Sequence, residues 1–291
     1  MQFNFTEPLH AMIPLHNGIC IVKETSVDLL NAELNEIVLS KTFNNTILKS
    51  IVYQDTLLIC FDNEIIQLNT NDFNEIFRIE SENEIRDVCI HLDIIILCFS
   101  NHLGRIGKNG VIETGPVDEN LNLSALAYTD EYLVGADFNS KLVYFDSDFL
   151  AFKQIDYSSS LEILSENPPF PLLIRTVNDL IIVGTLNGYV IIVSPHPMTY
   201  SESQKISYTQ IDYNHVYRIE YHKYIISDII FNKGTMFISS NDRTVSQFEL
   251  FGKLEYTTKY SLGMRAESLL IKDESLFVCG VDKPFLKKIN F

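Results

Sequence analysis

The sequence predicts an all-β protein, a single-domain β-propeller with seven four-stranded blades. Short apolar runs recur at nearly even spacing, and a turn and a second strand-like run follow each of them. The second run ends on a large residue, apolar in six of the seven units: Leu30, Leu68, Ile106, Phe145, Val193, Phe248 and Lys288. Successive closing residues lie 38, 38, 39, 48, 55 and 40 positions apart. Repeat periods of about 40 to 50 residues are typical of propeller blades.

Each unit is expected to contribute four strands, a to d. Strand b is apolar at every position, as from Ile19 to Val22 or from Leu180 to Val183, and such a run is covered on both faces. Residues that tolerate tight turns follow it, for example Asn187-Gly188. Strand c then returns toward the closing residue, strand a precedes b, and strand d follows c. No helical pattern of comparable length is present.

The two ends of the chain are expected to share one blade. The last unit contains only strands a, b and c, while an alternating segment, residues 2–6, precedes the first unit. Pairing of this segment as the missing fourth strand would close the ring and remove its exposed edges. One domain then covers residues 1–291, with blades at approximately 9–46, 47–84, 85–122, 123–170, 171–223, 224–264, and 265–291 plus 1–7. Six blades remain an alternative if one weak unit is misread.

Composition limits the compartment and the cofactors. A hydrophobic content of 46% with 21% charged residues indicates a folded protein with a large core. The first residues show neither a basic leader nor an apolar stretch of signal-peptide length, and no apolar run approaches the roughly 20 residues of a membrane-spanning helix. Five cysteines without a C-x-x-C pair indicate reduced, buried thiols. We expect an intracellular protein of the cytoplasm, the nucleus or both, with no membrane anchor, metal or cofactor.

The net charge of −16 bears on the partners. Binding to nucleic acid requires clustered Lys and Arg that neutralise phosphates, and this chain lacks them. Basic proteins or peptides are the favoured partners of an acidic surface. The prediction is therefore one or more protein partners with a basic segment, no direct nucleic-acid contact and no homo-oligomer.

The sixth unit carries a specific family resemblance. Residues 239–250 resemble the strand b, turn and strand c pattern of WD-repeat proteins, with Phe248-Glu249 where that family usually has Trp-Asp. Upstream, Tyr221-His222 stands at the Gly-His position, and Phe231 stands at the spacing of the aromatic residue that ends strand a. The other units match in period and polarity more than in motif, and the chain contains no Trp. The chain thus resembles a degenerate member of this superfamily.

The resemblance implies both a structural feature and a class of function. His222, Ser240 and Asp242 would form the family's structural hydrogen-bond chain, which supports a blade and catalyses nothing. Small propellers without added domains often serve, in this family, as structural subunits of larger complexes. The resemblance therefore suggests a non-catalytic protein-interaction scaffold in a multiprotein complex.

Two other functions stay open at this point. No Gly-rich phosphate loop, H-E-x-x-H, G-x-S-x-G or metal-spaced Cys and His pair is present, so we expect no enzyme. A propeller hydrolase could nevertheless gather a dispersed active site at the channel mouth, and it would show a deep pocket with a perturbed acid or histidine. An accessory subunit of a nucleic-acid-modifying or chromosome-associated complex is the third possibility, with a partner subunit supplying the basic surface.

The candidate partner-binding residues are acidic and apolar side chains of the connecting loops. The d-to-a connections and the b-to-c turns should emerge at the same end of the ring, where carboxylates collect. They form either a solvated rim or a docking face for a Lys/Arg-rich segment. An insertion near residues 158–171 adds apolar side chains, and recognition often uses such loops. The predicted partner-binding residues are Glu80, Glu82, Glu84, Asp118, Glu162 and Glu166 for charge, with Leu164 and Phe170 as apolar anchors.

Overall fold

Seven β-sheets form a seven-bladed β-propeller. The computed structural model describes residues 2–107, 110–158, 170–201, 204–250, 253–282 and 285–290. Every regular element in these ranges is a β-strand. Within the same ranges, no helix is long and apolar enough to cross a membrane. The all-β, seven-bladed prediction is confirmed, because the strands sort into seven sheets with a four-stranded core each.

The first four blades follow the chain without interruption. Strand β1 (Gln2–Asn4) precedes them. Blade 1 consists of β2 (Leu9–Leu15), β3 (Gly18–Lys23), β4 (Ser26–Leu30) and β5 (Ile37–Thr42). Blade 2 consists of β6 (Lys49–Tyr53), β7 (Thr56–Cys60), β8 (Glu64–Asn69) and β9 (Glu75–Glu80). Blade 3 consists of β10 (Asp87–His91), β11 (Ile94–Cys98), β12 (Leu103–Ile106) and β13 (Ile112–Thr114). Blade 4 consists of β14 (Leu123–Tyr128), β15 (Leu133–Asp137), β16 (Lys141–Phe145) and β17 (Ala151–Asp156).

The remaining blades contain the additions to the regular pattern. Blade 5 is built from β18 (Pro171–Val177), β19 (Leu180–Thr185), β20 (Val190–Ser194), β22 (Ile206–Ile211) and β23 (Asn214–Ile219), with β21 (Thr199–Tyr200) lying between β20 and β22 along the chain. Blade 6 contains β24 (Ile226–Asn232), β25 (Thr235–Ser240), β26 (Thr244–Glu249) and β27 (Lys253–Ser261). Blade 7 contains β28 (Ala266–Lys272), β29 (Ser275–Gly280) and β30 (Phe285–Asn290).

The N-terminal strand completes the last blade, as predicted. Strand β1 pairs antiparallel with β30, with Gln2 opposite Lys287 and Asn4 opposite Phe285. Blade 7 therefore has the order β28-β29-β30-β1. This pairing joins the first and last segments of the chain and covers the strand edge that β30 would otherwise expose.

Blades 5 and 6 each gain a fifth strand. In blade 5, β22 adds to the outer edge of β23. Strand β21 instead pairs in parallel with β27 of blade 6, with Thr199 opposite Lys253 and Tyr200 opposite Leu254. The residue before β21 is held by Tyr217 of blade 5, whose ring is buried and whose hydroxyl accepts a hydrogen bond of 2.6 Å from the Met198 amide. Strand β21 follows strand c of blade 5 along the chain and covers the outer edge of blade 6, so it ties these two blades together.

The hydrophobic core is divided into seven clusters, one at each junction between adjacent blades. For example, Phe248 of blade 6 packs with Ile182 of blade 5, while Cys20 of blade 1 packs with Leu57 of blade 2. Each blade is consequently covered on both faces. This arrangement explains why the b strands are apolar at every position, since neither of their faces meets water.

Backbone hydrogen bonds show which connections lie at each end of the ring. The amide of Ile47, before blade 2, donates to the Glu24 carbonyl in the b-to-c turn of blade 1 at 2.7 Å. Thirty-eight positions later, Ile85 donates in the same way to the Asp62 carbonyl at 2.6 Å. The d-to-a connections therefore lie against the b-to-c turns at one end, here called the loop face. The a-to-b and c-to-d turns lie at the opposite end, here called the turn face.

Candidate functional site

Carboxylates collect over blades 2 and 3 on the loop face. Glu80 ends β9, Glu82 and Glu84 lie on the connection to blade 3, and Asp118 and Glu119 lie on the connection to blade 4. Asp62 lies in the b-to-c turn beneath the first connection. All are exposed except Asp118, which is half-buried. We call this group the acidic arc; its members are Asp62, Glu80, Glu82, Glu84, Asp118 and Glu119.

The connection that carries Glu82 and Glu84 is fastened at both ends. The amide of Ser81 donates to the Asn63 carbonyl at 2.8 Å, and the amide of Ile85 donates to the Asp62 carbonyl. The Ile85 side chain is buried among core residues of blades 2 and 3. The two glutamates therefore project from a backbone that is already ordered, so that binding a partner would cost little further loop entropy.

Charge on the loop face is unevenly distributed. None of the six carboxylates of the acidic arc forms an ion pair with a residue that the structure describes. Arg86 is the neighbouring cation, and its guanidinium donates to the Asn122 side chain and to the Leu123 carbonyl at 2.7 and 2.9 Å. The exposed cations Lys223, Arg243 and Arg265 lie across the ring on blades 6 and 7. Arg243 and Arg265 pair with Asp282 at 3.4 and 3.8 Å, whereas the carboxylates of the acidic arc have no such partner among the described residues.

The predicted partner-binding residues are only partly brought together. Glu80, Glu82, Glu84 and Asp118 lie on adjacent connections. Phe170 lies farther round the ring, before blade 5, where its carbonyl accepts a hydrogen bond of 2.9 Å from the Leu186 amide. The Phe170 side chain is half-buried. Three other predicted residues fall outside the described part of the chain: Glu162, Leu164 and Glu166.

The hydrogen-bond chain in blade 6 differs from the predicted one in its serine. His222 Nδ1 lies 3.1 Å from Asp242 Oδ2, and His222 Nε2 lies 2.5 Å from the hydroxyl of Ser246 on strand c. Ser240 instead donates to the Tyr224 carbonyl at 3.1 Å. Ser240 ends β25 and faces the d-to-a connection, which places its hydroxyl beside a backbone carbonyl. The chain therefore runs from Asp242 through His222 to Ser246.

Burial and hydrogen bonding set the protonation of this chain. Desolvation lowers the pKa of His222, although Asp242 opposes the shift. Burial raises the pKa of Asp242, but the hydrogen bonds from His222 and Thr244 outweigh it and hold that pKa well below its usual range. Lys259 also contacts Asp242, with Nζ 3.2 Å from Oδ2. Because the imidazole is fully enclosed, this arrangement supports the blade and offers nothing to a ligand.

The a strands of the seven blades enclose a central channel with a cavity of about 490 Å³. Five of these strands begin with a register shift, and bulges of this kind redirect a side chain. Three of the residues at the shifts line the cavity, namely His10, Ser227 and Glu267. They belong to blades 1, 6 and 7, which are neighbours in the ring. The channel mouth on the loop face is therefore lined by an imidazole, a hydroxyl and a carboxylate.

Two ion pairs span the channel wall. Lys49 of blade 2 lies 2.5 Å from Asp87 of blade 3, and Arg175 of blade 5 lies 3.0 Å from Asp228 of blade 6. Both aspartates are buried. Within each pair the two charges neutralise each other. Glu267 is the carboxylate in the cavity wall that forms no ion pair with a described residue.

Glu267 is the most perturbed acid at the channel mouth. Burial raises its pKa to about 7, Asp228 adds to the shift, and Arg265 opposes it. Burial also lowers the pKa of His10, while Glu24 opposes that shift. Glu267 is hence poised to exchange a proton near neutral pH, although it makes no hydrogen bond with a described residue.

The channel residues were missed by the sequence reasoning. The sequence did contain a signal for them: His10, Ser227 and Glu267 are polar residues near the start of strand a, each at the same distance before its b strand. All five cysteines are free thiols; four of them are buried as predicted, whereas Cys89 is half-buried. Burial raises the pKa of Cys60 and of Cys89 to about 12, so these thiols are unreactive at neutral pH. The described residues contain no cluster of three or more His, Cys, Asp or Glu that could hold a metal ion.

Comparisons with known proteins support the fold alone. No protein-family model matches the sequence, and no curated protein matches it either. Among solved structures, streptogramin B lyase superposes with a TM-score of 0.73 at 12% identity, covering 99% of this chain and 96% of its own. The computationally designed Ika8 protein superposes with a TM-score of 0.68 at 9% identity, and the match covers 99% of this chain and 98% of the Ika8 chain. BamB from Moraxella catarrhalis superposes with a TM-score of 0.63 at 12% identity, and the match covers 100% of this chain and 88% of the BamB chain. The chain is a seven-bladed propeller that is similar in fold to these proteins at 9–12% identity, and the WD-repeat resemblance remains a prediction.

Proposed function

We propose that the protein is a non-catalytic interaction scaffold that binds a basic segment of a partner protein on the acidic arc. The observation that carries this proposal is the set of unpaired carboxylates on fastened connections of adjacent blades, here Glu80, Glu82, Glu84 and Asp118. The partner would present several Lys or Arg side chains along one surface. In this account the protein is a subunit of a larger complex.

The physical argument rests on charge and on order. Carboxylates without ion-pair partners attract a basic segment over about a Debye length, roughly 10 Å at 0.1 M salt. Such attraction raises the association rate and makes binding sensitive to salt. The connection at Glu82 and Glu84 is already held by the Asn63 and Asp62 carbonyls. Binding therefore costs little further loop entropy.

Affinity capture from native cells tests the proposal. The tagged protein is captured at about 100 mM and at about 500 mM salt, and retained proteins are identified by mass spectrometry. The expected result is a stoichiometric protein with a basic segment that is lost at high salt and unaffected by nuclease treatment. Binding should also be lost when the acidic arc is reversed by Glu80→Lys, Glu82→Lys and Glu84→Lys.

A matched triple variant controls for net charge. Glu33, Glu36 and Glu249 are exposed and lie toward the turn face of blades 1 and 6. Their replacement by Lys changes the net charge by the same amount, so capture should persist. Equal capture by the arc variant and the control variant would contradict the proposal.

A second candidate function, hydrolysis at the channel mouth, is supported by the presence of His10, Ser227 and Glu267 in the wall of one cavity. A hydroxyl, an imidazole and a carboxylate can act as nucleophile, general base and orienting group. The scaffold ranks first because the Ser227 hydroxyl is directed to Asn241 at 3.2 Å, and among the described residues no hydrogen bond joins the three groups.

Labelling with a fluorophosphonate probe separates the two functions. Covalent labelling that disappears in Ser227→Ala but persists in Ser124→Ala would support the hydrolase, since Ser124 lies at the corresponding register shift of blade 4. Absence of labelling at pH 8 would remove Ser227 as a nucleophile. It would leave the scaffold proposal unaffected.

A further inference from the structure

An apolar groove lies on the turn face between blades 3 and 4, at the opposite end of the ring from the acidic arc. Its volume is about 370 Å³. Its walls include Leu92 from the a-to-b turn of blade 3, Ile94 at the start of β11, and Tyr132 from the a-to-b turn of blade 4. Phe149 from the c-to-d turn of blade 4 also contributes. This groove is large enough for one or two large side chains of a partner.

Leu92 occupies a position that folding alone does not explain. Six blades join strands a and b by two residues, and the first of these residues is His16, Gln54, Leu92, Asn178, Lys233 or Asp273. Leu92 is the apolar member of this set, and 80% of its surface is exposed. Its φ of 45° is in the left-handed region, which costs a non-glycine residue about 1 kcal/mol. Both its exposure and its conformation oppose stability.

Further apolar side chains make the surface around Leu92 continuous. Ile94 is 36% exposed and Tyr132 is 41% exposed. The ring of Tyr132 lies 5.3 Å from the ring of Phe152 on the outer strand of blade 4, and Phe152 is 52% exposed. A contiguous exposed apolar surface of this kind indicates an interaction site.

The border of the groove is acidic. Glu131 and Asp146 line it, and Asp93 and Asp148 are adjacent in sequence to lining residues. None of these four carboxylates forms an ion pair with a residue in the described ranges. Arg105 is the cation in its wall, and that guanidinium is paired with Glu113 at 2.8 Å. An occupant should therefore combine an apolar side chain with positive charge. A second copy of this chain would bring its own net charge of −16 to this border, and like charges disfavour that pairing.

We propose that this groove binds an extended segment of a partner protein in which a large aliphatic or aromatic side chain is flanked by Lys or Arg. The apolar side chain enters between Leu92 and Tyr132, and the flanking cations face Glu131 and Asp146. This site is independent of the acidic arc, so the two surfaces could hold different partners or two parts of one partner.

Selection from a displayed library of random 12-residue peptides tests this proposal. The wild-type protein is the bait, and the Leu92→Asn protein is used for counter-selection. Asn suits the left-handed turn, as Asn178 shows at the same position of blade 5 with a φ of 50°. The variant should therefore fold and be at least as stable as the wild type. Enriched peptides should share a large apolar residue next to Lys or Arg.

Binding of one enriched peptide, synthesised with a fluorophore, is then measured by anisotropy. The dissociation constant should rise at least tenfold in Leu92→Asn and in Glu131→Lys. It should be unchanged in Ile76→Thr, which replaces a 53% exposed residue on the outer strand of blade 2, and in the triple variant of the acidic arc. Failure to enrich any peptide, or equal binding to Leu92→Asn, would overturn the proposal. A wild-type dimer in sedimentation that Leu92→Asn dissociates would overturn it too, because the occupant would then be a second copy.

Discussion

Asp228 in blade 6 accepts a hydrogen bond of 3.0 Å from the backbone amide of Leu269 in blade 7. Its other oxygen lies 3.0 Å from the Arg175 guanidinium of blade 5. One carboxylate thereby joins three consecutive blades at the channel wall. Asp87 repeats the arrangement in blades 2 to 4, where it contacts Lys49 and accepts a bond of 2.7 Å from the Leu126 amide. The ring is thus held by two equivalent polar contacts in addition to its apolar junctions.

Removing the Asp228 carboxylate should destabilise the propeller. Asp228→Ala leaves the buried amide of Leu269 and the Arg175 guanidinium without their acceptor, and we expect a loss of about 2 to 4 kcal/mol in the free energy of unfolding. Urea unfolding at pH 7 measures the loss. Glu33→Ala, at an exposed position, should stay within about 0.5 kcal/mol of the wild type. An Asp228→Ala protein as stable as the wild type would show that the contact does not hold the blades.

The histidine of blade 6 should make stability fall at mildly acidic pH. Because the folded-state pKa of His222 is lowered, the unfolded chain takes up its proton first, near pH 6.5. Stability is therefore lost as the pH falls from about 6.5 toward the folded pKa. His222→Gln should be less stable at pH 7 by about 1 to 3 kcal/mol because the buried Asp242 and Ser246 lose a partner.

The measurement for His222 is the slope of unfolding free energy between pH 7 and pH 5. His222→Gln should show a smaller slope than the wild type. An unaltered slope in His222→Gln would mean that this imidazole does not titrate differently on unfolding.

Glu267 should act in the opposite direction. Its folded-state pKa of about 7 exceeds the model-peptide value, so the folded protein holds a proton that the unfolded chain releases near pH 4.3. Stability therefore falls as the pH rises from about 4.5 to 7 and levels off above the folded pKa. Glu267→Gln removes this loss, and the variant should gain about 3 kcal/mol relative to the wild type at pH 8 but little at pH 4.5. A gain that is equal at both pH values would contradict the assignment.

Reversal of the acidic arc should leave the fold intact. Glu80, Glu82 and Glu84 make no ion pair with the described residues, and their replacement by Lys reduces the repulsion of a chain with a net charge of −16. We expect stability to rise by about 0.5 to 1 kcal/mol at low salt and to equal that of the wild type at 0.5 M salt. Thermal unfolding at both salt concentrations provides the check. A destabilised variant at low salt would show that the glutamates support the connection.

The propeller itself was predictable because its physical causes are local and repeated. The 38-residue spacing reflects identical junctions, such as those at Ile47 and Ile85. The all-apolar b strands reflect burial between two neighbours. The closing strand was predictable because the last unit supplies only three strands, and a fourth strand covers the edge that β30 would otherwise expose. These relations remain visible even where family motifs are weak.

Other features depend on three-dimensional placement. The parallel pairing of Thr199 with Lys253 involves two residues per strand, too few to form a sequence pattern. The choice of Ser246 over Ser240 depends on which strand faces His222. The placement of Ser227 and Glu267 in the wall of one cavity involves register shifts in separate blades. The Leu92-Asp93 turn was the detectable exception, since an apolar residue at a turn position is unusual in sequence alone.

The most direct test of the scaffold account is hydrogen exchange of the protein, alone and bound to the partner captured at low salt. The account predicts slower exchange at the amides of residues 81–86 and 116–122, and a smaller effect at 300 mM than at 100 mM salt. Residues 10–13 and 266–269 at the channel should be unchanged. Protection confined to the channel strands, with residues 81–86 exchanging as in the free protein, would contradict the claim that the acidic arc is the binding face.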